Sequence, residues 1–366
     1  MGDVNMFIRF SAFFCMAFFL IVLCYAESEE QPCVRWIWEV KIDPNQSETI
    51  YSNVYDMTIN KNVIYKSLDA GANWHNISSV NLALHDLLID PKDSRKIYAS
   101  INDAHNYGGN KSTDGGITWN YVTTTPNIIN PHNSEIMYSI GGGGIRKSTN
   151  GGVSWADLKG DWKSCSAVAL AFQNPQILYT YCQGGSSPGI FKSTNAGIDW
   201  EIVLPIPGIW KLAIDPKNPE IVYAGTRYQG VYRSVDGGKN WKTVKDGLPR
   251  GYGPFLSGAV PWTMTKDEEP VNEPIVCMVI DPMHSNILYV GTSAGVFKSI
   301  DSGANWRGIN KGLPASSVLT LALNPKDPNI IYTGTEFSGV FKSIDGGETW
   351  TPASNGIACG PKVLVW

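Results

Sequence analysis

Charge is what this 366-residue chain has little of. Only 17% of its residues are Asp, Glu, Lys or Arg, against roughly 25% in an average soluble domain. Basic and acidic residues nearly cancel, 29 against 33, for a formal net charge of -4. With no basic excess there is no electrostatic footprint for nucleic acid. The 7 cysteines form no CxxC pair and there are only 5 histidines. Zinc and redox-motif chemistry are therefore unsupported, and neither a metal nor another cofactor is expected. Beyond residue 26 no apolar run approaches the length of a membrane span. What the chain has instead is 43% hydrophobic residues, 37 Gly, 22 Pro and 13 Trp. A chain this apolar can bury a large core, which argues against disorder. Abundant Gly and Trp with few charges read as short strands joined by tight turns.

Residues 7–26 are almost wholly apolar, with Arg9 near the start, Cys24 and Ala26 at the end, and the polar run ESEE following. This reads as a secretory signal peptide, residues 1–26, followed by one domain over 27–366. An uncleaved membrane anchor and a lipid at Cys24 are the rival readings. The expected location is secreted, periplasmic or otherwise extracytoplasmic. Membrane contact is expected only through such an N-terminal anchor or lipid. Disulfides are permitted there. Cys33 and Cys359 flank the first and last repeats and are candidates for one pair. Cys165 and Cys182 are candidates for a second, which leaves Cys277 as a buried thiol. Spacing alone does not settle the connectivity.

One string recurs seven times: KSLDAGANW (66–74), KSTDGGITW (111–119), KSTNGGVSW (147–155), KSTNAGIDW (192–200), RSVDGGKNW (233–241), KSIDSGANW (298–306) and KSIDGGETW (342–350). Each copy is preceded by a hydrophobic stretch ending in Asp-Pro or Asn-Pro, then by a strand such as IVYAGT and another such as GVYRS. One unit is thus four short strands A to D in about 45 residues, the size of a propeller blade. The acceptors Asp69, Asp114, Asn150, Asn195, Asp236, Asp301 and Asp345 suit Asx-type bonds within their own turn. The Gly two positions on suits a positive φ. Trp74, Trp119, Trp155, Trp200, Trp241, Trp306 and Trp350 suit packing across the hairpin and between blades. All fourteen are read as architecture. The fold expected is all-β: a single seven-bladed propeller of four-stranded antiparallel blades, with the boxed turns between strands C and D.

The string resembles the Asp-box, or BNR, repeat of sialidases, xyloglucan-active glycoside hydrolases and sortilin-type receptors, and less closely that of photosystem II assembly factors. The resemblance covers nearly all of the chain after the leader. It implies the propeller strongly and the function weakly, because enzymes and receptors share the repeat. The early arginine signature of sialidases is missing; the nearest arginine after the leader is Arg35, in CVRWIW. Xyloglucan hydrolases of this type use two facing propellers with one catalytic Asp from each, and this chain has material for one.

In a four-stranded meander the boxes and the A–B turns share one face of the ring. The B–C and D–A loops share the other, where ligands are expected. The interval from Trp241 to Trp306 exceeds the ~45-residue repeat and contains Tyr252, Trp262, Asp267 and Glu268. Long insertions of this kind are often functional. Further ligand-binding candidates on the loop face are Trp162, Trp210, Arg227, Tyr228 and His105. Asp267, Glu268, Asp103 and Asp161 are the candidate catalytic carboxylates, and Asp56 and Glu336 lie in equivalent loops. Two functions compete. The one favoured by the sequence is an exported, non-catalytic platform that binds a protein, peptide or glycan through this face. The alternative is a glycoside hydrolase or lyase acting on a polysaccharide with loop-face carboxylates.

Overall fold

The computed structural model describes residues 35–357, apart from 58, 79–83, 102–107, 185–186 and 252–270. Each copy of the repeat folds into its own four-stranded antiparallel sheet, and the seven sheets follow one another along the chain. In blade 1 strand A is Arg35–Ile42, B is Ile50–Asp56, C is Lys61–Ser67 and D is His75–Asn76. Blade 7 runs from Val318–Leu323 through Ile331–Thr335 and Val340–Ser343 to Thr351–Pro352. The expected seven-bladed propeller, each blade built from contiguous sequence, is the observed fold. One addition was not foreseen. Arg250–Gly251 pairs with Val271–Asn272 as a two-stranded ribbon at the base of the long insertion between blades 5 and 6.

The strand patterns follow from position in the blade. In strand B of blade 5, Val222–Thr226, every residue is buried, because both faces are covered by neighbouring blades. Strand D of blade 1 is two exposed residues, a short edge that offers little to a pairing partner. The core is consequently a set of layers between blades rather than one central mass. Tyr51 and Ile64 meet Leu87, Ile97 and Trp119 between blades 1 and 2. Ile37, Val40 and Trp74 meet Ala322, Tyr332 and Val340 between blades 1 and 7. The Gly of the strand B string has its reason in these layers. A Cβ on Gly334 would lie 2.4 Å from Cγ2 of Ile37 in the next blade, closer than real atoms approach.

The boxed turns are held by the same bonds in every blade. In blade 1 Ser67 Oγ donates to Asp69 (2.8 Å) and accepts the Gly71 N–H (2.9 Å), while Asp69 accepts the Asn73 N–H (2.8 Å). Blade 7 repeats this set at Ser343, Asp345, Gly347 and Thr349. Asn150 and Asn195 accept equivalent backbone bonds in blades 3 and 4. Two successive residues take positive φ, 54° at Ala70 and 83° at Gly71.

Hydrogen bonds from Asn73, Thr118, Asn240 and Thr349 hold the carboxyls of Asp69, Asp114, Asp236 and Asp345 at about 2. An unfolded Asp titrates near 3.9. These contributions are therefore fully present above about pH 4 and are lost as pH falls through about 2. The thermal midpoint, followed by circular dichroism, should fall over that interval. A variant with Asn at the four positions should show a shallower fall.

The box Lys, to which the sequence assigned no role, bonds one blade to the next. Lys66 Nζ donates to Gly115 O in blade 2 (3.0 Å). Between blades 7 and 1, Lys342 Nζ (3.0 Å) and Tyr332 OH (2.7 Å) both donate to Ala70 O, and Trp74 Nε1 donates to Ala353 O (2.8 Å). These contacts help close the ring. The lysine Nζ also lies over the strand B tyrosine, 5.4 Å from the Tyr332 centroid for Lys342, a cation–π arrangement.

Candidate functional site

The loop face carries two built regions. At blades 1 and 7, Arg35 opens strand A and Asp56 ends strand B, and the two are paired in register. Their ion pair spans 2.6 Å, with side chains 12% and 6% exposed. Each charge offsets the desolvation of the other. One guanidinium nitrogen of Arg35, Nη1, and the Trp36 indole N–H are buried without a hydrogen-bond partner among the described residues. The next rung of the same two strands pairs Trp36 with Tyr55, and further rings gather there. Trp36 lies 5.8 Å from Tyr55, 5.0 Å from Trp38 and 6.2 Å from Phe337 of blade 7 (ring centroids). Phe337 is exposed, and Glu336 precedes it in the blade 7 B–C loop.

The second region is a cleft of about 650 Å³ between blades 4 and 5, lined in part by Tyr181, Gln183, Trp210, Arg227, Tyr228 and Gln229. It forms where the blade 4 to 5 D–A loop meets the B–C loops of both blades. Gly208, with φ of 79°, turns that loop. Its N–H donates to Tyr181 OH (3.0 Å) and its carbonyl accepts the Arg227 N–H (2.9 Å). The Arg227 guanidinium carbon lies 5.7 Å from the Trp210 ring centroid and 5.0 Å from that of Tyr228.

The sequence candidates fall into three groups. Trp210, Arg227 and Tyr228 come together in this cleft. Asp161 is exposed in the loop between blades 3 and 4. Trp162, beside it, packs edge-on against Trp200 (5.5 Å) and Phe191 (5.8 Å), so its ring is engaged in blade packing. Tyr252, Trp262, Asp267, Glu268, Asp103 and His105 lie outside the described residues, as do residues 1–26, Cys33 and Cys359. Among the described residues no cluster of three or more His, Cys, Asp or Glu is arranged to hold a metal. In the same residues no helix is long and apolar enough to cross a membrane.

Cys165 and Cys182 form a disulfide between register partners of strands A and B in blade 4. The bond closes a 17-residue separation, for which chain entropy gives about 3 kcal/mol. Replacing both cysteines with Ala should lower the urea unfolding free energy by about that amount. Cys277 is a free buried thiol, and burial pushes it up to about 12, too high for a nucleophile at neutral pH.

Sequence reasoning missed the partnership of Arg35 with Asp56, although both residues were in view. The available signal was a departure from the repeat: strand B of blade 1 reads IYSNVYD where blade 5 has IVYAGT.

No family model matches the chain. Among curated proteins it is 25% identical over 340 residues to the xyloglucanase Xgh74A of Acetivibrio thermocellus, covering 72% of this chain and 40% of that protein. It is 24% identical over 360 residues to a xyloglucanase of a Paenibacillus species, covering 77% of this chain and 34% of that one. The chain thus spans between a third and two fifths of the length of these relatives. Among solved structures it superposes on the GH74 xyloglucanase of Xanthomonas campestris with a TM-score of 0.69 at 15% identity, covering 90% of this chain and 56% of that one. YCF48 bound to D1 peptide superposes with a TM-score of 0.54 at 12% identity, covering 87% and 96%. At such identities the structural likenesses speak for the fold alone. The sequence relatives correct the expectation of a non-catalytic platform: the similarity over about three quarters of the chain falls on xyloglucanases, and so favours an enzyme of the glycoside hydrolase kind.

Proposed function

We propose that this chain acts as a glycoside hydrolase on a polysaccharide of the xyloglucan type, with the B–C/D–A loop face as its substrate surface. The observation that carries the reading is the sequence similarity to xyloglucanases, joined to a buried carboxylate on that face. Asp56 is held by Arg35 at the loop-face ends of strands that also carry the aromatic residues Trp36 and Tyr55. Glycoside hydrolysis needs two carboxyl groups across the scissile bond. With the Arg35 guanidinium beside it, Asp56 is given the role of base or nucleophile. Asp103, Asp267, Glu268 and Glu336 are the candidates for the proton donor. The repeat string and its bonding support the Asp-box (BNR) assignment, while the finer likeness to sortilin-type propellers rests on the string alone. An exported location is part of this proposal and follows from the apolar leader and the polysaccharide substrate.

The test is a polysaccharide screen of the full chain: reducing-end release from xyloglucan, mixed-linkage glucan and xylan, with affinity electrophoresis on the same polymers. Release from xyloglucan above the other two is expected. If xyloglucan is neither cleaved nor retained, the proposal is lost.

A further inference from the structure

The cleft between blades 4 and 5 holds a cation, Arg227, with no counter-ion among the described residues. Arg227 forms no ion pair with any described residue, and its Nε–H is buried with no acceptor among them. A guanidinium does not shed its charge by deprotonating, so this half-buried one, with its Nε–H out of water, suits an anion. Trp210 and Tyr228 lie against the guanidinium, which leaves the edge, with its fork of N–H donors, as the part that can receive a ligand. A carboxylate is the planar group that such a fork binds through two parallel bonds.

The remaining lining is what a sugar ring uses. Tyr181 OH accepts the Gly208 N–H and keeps its own proton to donate. The Gln229 side-chain oxygen accepts from Tyr232 OH (2.9 Å), so its amide N–H groups remain to donate. The Gln183 amide has no partner among the described residues. An aromatic face, several neutral hydrogen-bonding groups and one cation unmatched among the described residues thus border a single cavity of about 650 Å³, room for a short run of pyranose rings.

We infer that this cleft is a subsite for a carboxylate-bearing sugar, a uronosyl residue in the polysaccharide or on one of its branches. Arg227 binds the carboxylate, and Trp210 and Tyr228 carry the ring. The inference rests on the glycan-directed reading above and narrows its substrate class: the polymer recognised is acidic at this position rather than uniformly neutral.

The test compares matched probes by isothermal titration with the full chain. The probes are trigalacturonate and a glucuronosyl-substituted xylotriose, each beside its carboxyl-reduced counterpart, which has the same rings and no charge. At least one acidic probe should bind about tenfold or more tighter than its reduced form, as a charged hydrogen-bonded pair predicts. The gap should narrow at high salt. Arg227→Gln, with an unchanged thermal midpoint, should bring the acidic probe down to the affinity of the reduced one. Trp210→Ala should weaken both members of the pair. Equal affinity within each pair, no binding of either acidic probe, or a preference that survives Arg227→Gln would overturn the assignment. So would a short peptide that competes with the acidic sugar only when its C-terminal carboxylate is free, which would mark a peptide site. Xyloglucan cleavage by the unaltered chain is measured in the same preparation. Cleavage without acid preference removes only the subsite. Acid preference without cleavage removes only the hydrolase reading.

Discussion

Asp56→Asn should lower kcat on xyloglucan by about 10²–10⁴-fold, the range that a positioned acid–base group contributes. The amide keeps the size and much of the hydrogen bonding of the carboxylate but removes the charge, so the loss should appear in kcat with little change in KM. The substitution has a structural side that must be separated. Arg35 and Asp56 are both largely buried, and breaking a buried pair from one side leaves an uncompensated charge, at a cost of about 3–5 kcal/mol. Arg35→Gln alone and the double variant resolve the two effects. If Asp56 acts chemically, the double variant regains stability and stays inactive. If the pair is only a strut, the double variant regains both. The second outcome would remove Asp56 from the proposed mechanism.

Trp74→Ala should be the most damaging change away from the loop face. Trp74 is 2% exposed and sits in the layer that joins blade 1 to blade 7. Its indole N–H donates to Ala353 O across 279 positions of sequence. Truncating a buried Trp costs about 3–5 kcal/mol, and the orphaned carbonyl adds about 1–3 kcal/mol. Losses of this size approach the whole stability of an ordinary domain. Trp155 provides the contrast. It is only partly buried, and its indole N–H bonds within its own turn, to Gly152 O (3.2 Å). Trp155→Ala should cost clearly less. Urea unfolding followed by fluorescence, with limited proteolysis as a measure of ring opening, would rank the two. Trp74→Phe should recover most of the packing term. Similar losses for Trp74→Ala and Trp155→Ala would mean that closure is shared evenly among the blades.

The repeats were legible because their determinants are local. Ser67, Asp69, Gly71 and Asn73 bond one another within four positions, so the turn is written in one string. Seven strings then fix the number of blades. The site was less legible because it lies where the blades differ. Arg35 and Asp56 meet through the register of one blade, and the role of Asp56 stands out only once Arg35 is seen beside it. Trp162 and Trp210 read alike as loop aromatics, yet one packs against Trp200 and Phe191 while the other borders a cleft. Nothing in their flanking residues separates them. The preference for a non-catalytic platform rested on the missing sialidase arginine signature and on material for one propeller where xyloglucan hydrolases of this type use two. Similarity to xyloglucanases over about three quarters of the chain outweighs that argument.

From sequence alone came the all-β class, the blade count, the strand order and the turn that joins strands C and D. Each follows from hydrogen bonds between residues a few positions apart, repeated often enough to be unmistakable. The tertiary structure decided which residues close the ring, which lysines and tyrosines tie neighbouring blades together, and which arginines are matched. Those outcomes depend on contacts between blades, at separations such as the 279 positions from Trp74 to Ala353. Arg35 found Asp56 because strand register placed them side by side. Arg227 found two aromatic rings and no acid among the described residues, because two loops and a neighbouring blade enclosed it together.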